Sequence, residues 1–153
     1  MNNVKIENKE LFESLGKIDD EDEVKEILWK AIKKGAQKLR DSTRSLFKSY
    51  MPTASNKMVK GVKTKNDKAY TESIVHIMGD YRNKWFEKGS QERRRKSKEI
   101  AHYWGKRAIY KKNGGATGHI EGKHFFKDSQ RIYDTDVKDI MNKTITDELK
   151  KIQ

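Results

Sequence analysis

The sequence predicts an α+β fold in which a long N-terminal helix and a C-terminal helix pack on a small antiparallel β-sheet containing a β-hairpin. Three observations predict it. Apolar residues recur at the three-and-four spacing of one helical face near each end of the chain. Between those stretches lie two runs rich in β-branched and aromatic residues, separated by a polar turn signal. The strongest helix breakers, Pro52 and a crowd of glycines, fall in the middle of the chain.

The first helix is marked by Val24, Ile27, Leu28, Ala31, Ile32, Gly35, Leu39, Leu46 and Phe47. It should start near Asp20 and run about 30 residues, or roughly 45 Å. Pro52 ends it, because proline lacks an amide hydrogen and disfavours helix in Met51 before it. Asp19 and Asp20 are suited to cap its start, and the acids through Glu23 complement the positive end of its dipole; a docking role for this acidic arm is the alternative. Gly35 is either a weak point or a close-packing point. Upstream, Leu11, Phe12, Leu15 and Ile18 suggest one or two short turns, with residues 1–19 expected to form a flexible arm.

After Pro52 the pattern changes to that of strands. Lys57–Lys65 and Ala69–Met78 read as a hairpin turning at Asn66, Asp67 and Lys68, with Tyr70, Ile74, His76 and Met78 on one face and Val75 and Ile77 on the other. A further strand is expected over Glu99–Tyr110, with Gly105 as a bulge, followed by a flexible loop over Lys111–Gly118. From Lys123 to the end, helical spacing resumes through Phe126, Ser129, Ile132, Tyr133, Val137, Ile140, Met141, Ile145, Leu149 and Ile152. Lys150 and Lys151 are then suited to its negative C-terminal end.

Composition bounds the function. The 153 residues fit one domain, 33% hydrophobic and 38% charged, so the core must be thin and self-assembly could complete it. The net charge of +12 favours an acidic partner: nucleic acid, an anionic membrane face or a negatively charged protein surface. With no cysteine, disulfides and thiolate metal sites are excluded. The first thirty residues hold no apolar signal core and no stretch is long enough to span a membrane, so a soluble, non-secreted chain without membrane partners is expected.

Enzymatic chemistry finds little support. His76, His102, His119 and His124 are not spaced as a metal set, and Gly114, Gly115 and Gly118 lack the surroundings of a phosphate-binding loop. No serine or threonine sits in a nucleophile elbow. The sequence therefore predicts no enzyme, no cofactor, no metal and no small-molecule substrate.

The most distinctive stretch is Tyr81–Phe126. It carries 13 basic and 4 acidic residues, 8 of the 14 aromatics and 6 of the 10 glycines. Glycines at this density oppose helix, and a solvated linker has no need of such aromatics, so a surface covered by a partner is expected. Within it, ERRRKSK (Glu92–Lys98) is the strongest candidate for phosphate contact, through Arg93, Arg94, Arg95, Lys96 and Lys98, extended by Lys106 and Arg107. Tyr103, Trp104 and Tyr110 could stack on unpaired bases. The same charges also suit a solvated loop. No DNA-reading motif is present, so nucleic-acid contact through residues 92–112 would be independent of sequence.

The order of landmarks resembles the tail-completion, or minor tail component, family of long-tailed bacteriophages, the small head–tail joining proteins of the phage neck. The basic amphipathic helix ILWKAIKKGAQKLRDSTRSLF, then Pro52, then MVKGVKT match its opening order. YRNKWFEKGS resembles its aromatic, acidic and glycine-hydroxyl signature at Tyr81, Trp85, Phe86, Glu87, Gly89 and Ser90, and GHIEGKHFFKDS resembles its doubly aromatic approach to the last helix at Phe125 and Phe126. The similarity spans roughly residues 20–145. Two departures stand out: Thr53, Ala54, Ser55 and Asn56 replace a Thr-Gly soon after the proline, and a basic insert follows Ser90. The insert, residues 90–118, is expected to be mobile.

The resemblance implies a structural protein of phage or prophage origin that forms a ring, expected to be a hexamer, at the head-proximal end of the tail. Its implied partners are further copies of itself, tail-tube and neck proteins and, transiently, genomic DNA. Its implied location is the virion neck, with the host bacterial cytoplasm during assembly. Tyr81, Trp85, Phe86, Glu87, Gly89 and Ser90 would then form subunit or partner contacts, with core packing the alternative for Trp85 and Phe86. Pro52, Phe125 and Phe126 would anchor the fold. The basic residues would face DNA or an acidic neighbour. A sequence-independent nucleic-acid-binding protein is the alternative function.

Overall fold

The computed structural model describes residues 15, 16, 18, 20–92, 100–110 and 118–152. The expectations for Asp19, for residues 1–14, for Arg93, Arg94, Arg95, Lys96 and Lys98, and for the loop at 111–117 lie outside the described residues.

The fold is α+β: a long N-terminal helix, C-terminal helices and two small antiparallel sheets of two strands each. Helix α1 spans Glu21–Tyr50, 30 residues. Asp20 caps it, with its carboxylate accepting from the amides of Asp22 at 2.8 Å and Glu23 at 3.4 Å. Glu21, Asp22 and Glu23 occupy the first turn, where the helix dipole favours anions. At the far end the Met51 amide closes on the Phe47 carbonyl at 2.9 Å, and Pro52 follows.

One face of α1 serves two cores. Toward its start, Ile27 and Ala31 pack with Leu15 and with Val137, Met141 and Ile145. Toward its end, Phe47 packs with Ala54, Met58, Val62, Ile77 and Phe125. Gly35 is a close-packing point: a Cβ there would lie 2.7 Å from Met141 Cγ and 2.8 Å from its Sδ. The final helices can approach α1 closely because this position has no side chain.

The strands depart from expectation in four ways. Residues 57–60 belong to a short helix, α2 (Asn56–Lys60), instead of a strand. Ser55 caps it, its hydroxyl accepting from the Met58 amide at 3.4 Å. The helical turn and the residues after it bring Met58 and Val62 onto the second core. The hairpin proper is β1 (Lys63–Asp67) with β2 (Glu72–His76), in register Lys63 with His76, Lys65 with Ile74 and Asp67 with Glu72. Asn66 and Asp67 therefore lie in the strand, and the turn is Lys68–Thr71. Val75 and Ile77 face the core, while Ile74, Met78 and the turn residue Tyr70 are exposed.

After helix α3 (Asn83–Lys88), the strand expected over 99–110 is instead a second hairpin, β3 (Ile100–Trp104) with β4 (Arg107–Tyr110). Gly105, at φ +60°, forms its turn with Lys106, and the ladder irregularity falls between Ile100 and His102. A two-residue hairpin turn needs positive φ, which glycine adopts without strain. The two hairpins do not join into one sheet.

The last helical stretch is also divided, into α4 (Phe125–Ile132) and α5 (Asp134–Leu149), with the break at Tyr133. The break redirects the chain between the cores: Phe125 and Ser129 of α4 face one half of α1, and Val137, Met141 and Ile145 of α5 face the other. Inside, the Thr43 and Ser129 hydroxyls bond each other at 2.8 Å. Lys30 and Lys151 both bond Glu148 and hold its carboxyl down at about 2; the Lys151 bond weighs most, then that of Lys30.

Candidate functional site

The segment Gly79–Ser90 is positioned by two polar clamps and a pair of glycines. At its start, the Asp80 carboxylate accepts from the Arg82 guanidinium at 2.9 and 2.7 Å and from the Arg82 amide at 3.0 Å. Those bonds hold the Asp80 carboxyl at about 2, and Arg82 is raised in turn. Asn83, fully buried, donates to the carbonyls of Met58 at 2.9 Å and Ile77 at 3.1 Å, tying α2 to the end of the first hairpin. Gly61 and Gly79 cross so closely that a Cβ on Gly79 would lie 2.6 Å from the Gly61 carbonyl oxygen.

The second clamp is Glu87. His124, which precedes α4 at the cap position, is in left-handed conformation and supplies no side-chain cap. The buried Glu87 carboxylate supplies one from another element, accepting from the amides of Phe126 at 2.8 Å and Lys127 at 3.1 Å. Helix N-termini leave amides without intrahelical partners, and an anion also suits their dipole. Backbone bonds extend the junction: Lys123 donates to Phe86 at 2.7 Å, His124 to Glu87 at 3.2 Å and Ser90 to Ile120 at 2.8 Å, while the Ser90 hydroxyl accepts from Ile120 at 2.9 Å. Gly89, at φ +82°, lies back to back with Gly122; a Cβ on Gly122 would sit 2.8 Å from the Lys88 carbonyl carbon.

The residues expected at an interface are thus divided by the structure. Phe86 packs beside the second core, 6.4 Å from Phe47 between ring centroids. Glu87, Gly89 and Ser90 have the intramolecular partners just given. Trp85 is half-buried and meets the edge of Tyr81 at 5.3 Å and 90°. Tyr81 itself is 66% exposed. Of the expected anchors, Phe125 is fully buried and stacked on Phe47 at 4.2 Å and 17°, Phe126 packs at the margin of the same core, and Pro52 follows α1. Of the basic set, Lys106 and Arg107 are exposed at the tip of the second hairpin.

Two features were not singled out in the sequence. The Asp80–Asn83 clamp follows Gly79 as a Gly-Asp turn signal, but the buried targets of Asn83 come from distant segments. Apolar grooves of about 520 and 480 Å³ flank β2, and both are lined by Val75, Phe126 and Gln130. They are formed only where strand and helices meet.

Among the described residues, no three or more His, Cys, Asp or Glu side chains are placed to hold a metal ion, and no helix is long and apolar enough to cross a membrane. The chain matches no protein-family model, no curated protein and no solved structure.

Proposed function

We propose that this protein is a structural component of phage or prophage virion assembly, copies of which form a ring at the head-proximal end of the tail and join tail to head. One observation carries most of the support: large apolar side chains are left uncovered on two hairpins and just beyond the first. Trp104 is 78% exposed, Tyr103 66%, Tyr70 80% and Met78 57%. A lone two-stranded hairpin is marginal in water, so a hairpin edged with aromatics is suited to a partner that covers it. The order of landmarks shared with phage neck proteins supplies the identity of that partner surface.

The test is to mix purified protein with purified tail-tube subunits of a long-tailed phage and follow association by sedimentation and electron microscopy. Rings alone, or caps on tube ends, are expected. Failure to associate across the accessible concentration range, with or without those subunits, refutes the proposal.

A second reading draws on a different observation. Tyr103 and Trp104 stand beside Lys106 and Arg107, all exposed, which places stacking surfaces next to phosphate-seeking charge. It corresponds to sequence-independent nucleic-acid binding.

A further inference from the structure

We infer that β2 accepts an added strand, and that the strand is β3 from a second copy of this chain. The inference names the contact for the self-assembly proposed above and rests on that reading.

The grooves on either side of Val75 point to the unpaired edge of β2. One is lined by the five consecutive residues Thr71–Val75, the other by the four consecutive residues Val75–Met78. The lining takes in each residue in turn, so the grooves follow the length of the strand. No β1 residue lines either groove, which places the opening on the side of β2 away from its partner. Among the described residues, no backbone hydrogen bond joins residues 72–76 to any segment other than β1. Among the described residues, alternate amides and carbonyls of this edge therefore make no backbone hydrogen bond, and the floor beside them is apolar, with Phe126, Val137 and Met141. That combination is what a strand-addition site requires: main-chain bonds for affinity and flanking pockets for side chains.

The occupant follows from the second hairpin. Every residue of β3 is exposed, including Ile100, Tyr103 and Trp104, and its own chain's grooves are lined by none of them. Charge sets the direction. The hairpin tip carries Lys106 and Arg107, and residues 100–110 contain no acid. One end of the β2 edge carries Glu72, directly opposite Asp67, with Lys68 beyond them paired to Glu26; the other end is bordered by Lys84, Lys88 and Lys127. A basic tip is attracted to the Asp67–Glu72 end and repelled from the other. With the tip at that end, β3 runs antiparallel to β2, and the two marginal ribbons become one four-stranded sheet. Groove and arm lie on different parts of one chain, so the contact is head-to-tail and closes into a ring when the rotation permits.

The chain lacks cysteine, so disulfide trapping can be done without background. Ile74→Cys and His102→Cys are made in separate proteins and mixed under mild oxidation, with Lys33→Cys, on the exposed surface of α1, as a control. The expected result is a crosslinked heterodimer from the first pair that exceeds either protein alone and any pairing with the control. In parallel, Trp104→Ala should weaken self-association roughly thirtyfold, the weight of an aromatic anchor at an interface centre, with an unchanged circular dichroism spectrum and melting temperature. Rings that form in Trp104→Ala as in the parent, with no selective crosslink, overturn strand addition while leaving the neck proposal standing. Loss of DNA binding in Trp104→Ala without loss of assembly also overturns it and assigns the hairpin to nucleic acid. Absence of assembly under every condition removes both.

Discussion

Replacing Glu87 by glutamine tests whether a residue of α3 holds the start of α4. Glu87 is 7% exposed and each of its carboxylate oxygens accepts one amide, Phe126 at 2.8 Å and Lys127 at 3.1 Å. Glutamine preserves the shape but offers one oxygen; its amide nitrogen would face a backbone donor. One buried amide is then unsatisfied, at about 1–3 kcal/mol, and loss of the anion at a helix N-terminus adds about 0.3–1 kcal/mol. The sum is about 1.3–4 kcal/mol, which for a chain of this size lowers the melting temperature by roughly 3–16 °C. Thermal melting by circular dichroism measures the shift, and hydrogen exchange should show the Phe126 and Lys127 amides losing protection first. A melting temperature within about 1 °C of the parent, with both amides still protected, would refute the capping argument.

Other outcomes test other parts of the molecule. Phe125→Ala removes a fully buried ring stacked on Phe47 and should cost about 3–5 kcal/mol in urea denaturation, whereas Tyr81→Ala, on an exposed ring, should cost under about 1 kcal/mol. The Asp80 and Glu148 carboxyls are held at about 2 by Arg82 and by Lys151 with Lys30, below their unfolded values near 4. Their stabilisation is therefore full above about pH 4 and is lost as the pH falls through about 2. The urea midpoint should fall across that window, and Asp80→Asn should flatten the fall; an unchanged acid profile in Asp80→Asn would count against the Arg82 clamp. For the nucleic-acid reading, DNA affinity should drop steeply with salt, and Arg93, Arg94 and Arg95 replaced together by alanine should reduce that slope by about 3. Binding absent even at low salt would eliminate that reading.

The long helix was legible because its signals are local. Asp20 caps amides two and three residues away, the apolar face repeats every three or four residues, and Pro52 acts on its neighbour. The second hairpin was misread as one strand because Gly105 suits a turn as well as a bulge, and only pairing with Arg107–Tyr110 decides between them. The stretch 57–65 contains the β-branched Val59, Val62 and Thr64, yet the Ser55 cap and the burial of Met58 accompany a helix over 56–60. Propensity is a weak prior where burial opposes it.

The signature around Tyr81–Ser90 shows the same division. Its aromatics and glycines marked it as important in the sequence, and Gly89 does adopt positive φ. Composition could not tell that Glu87 caps a helix starting at Phe125, because the partners are about forty residues apart and meet only when Gly89 packs on Gly122.

The sequence by itself determined the α+β class, the span of the first helix and the basic and aromatic bias of the middle. Each of these depends on periodicity, neighbours or order along the chain. Tertiary structure alone decided that the sheet is two separate ribbons, that the last helix breaks at Tyr133 to serve two cores, and that β2 keeps an open edge between two grooves. These depend on which distant segments compete for the same buried surface, a competition that has no trace in local spacing.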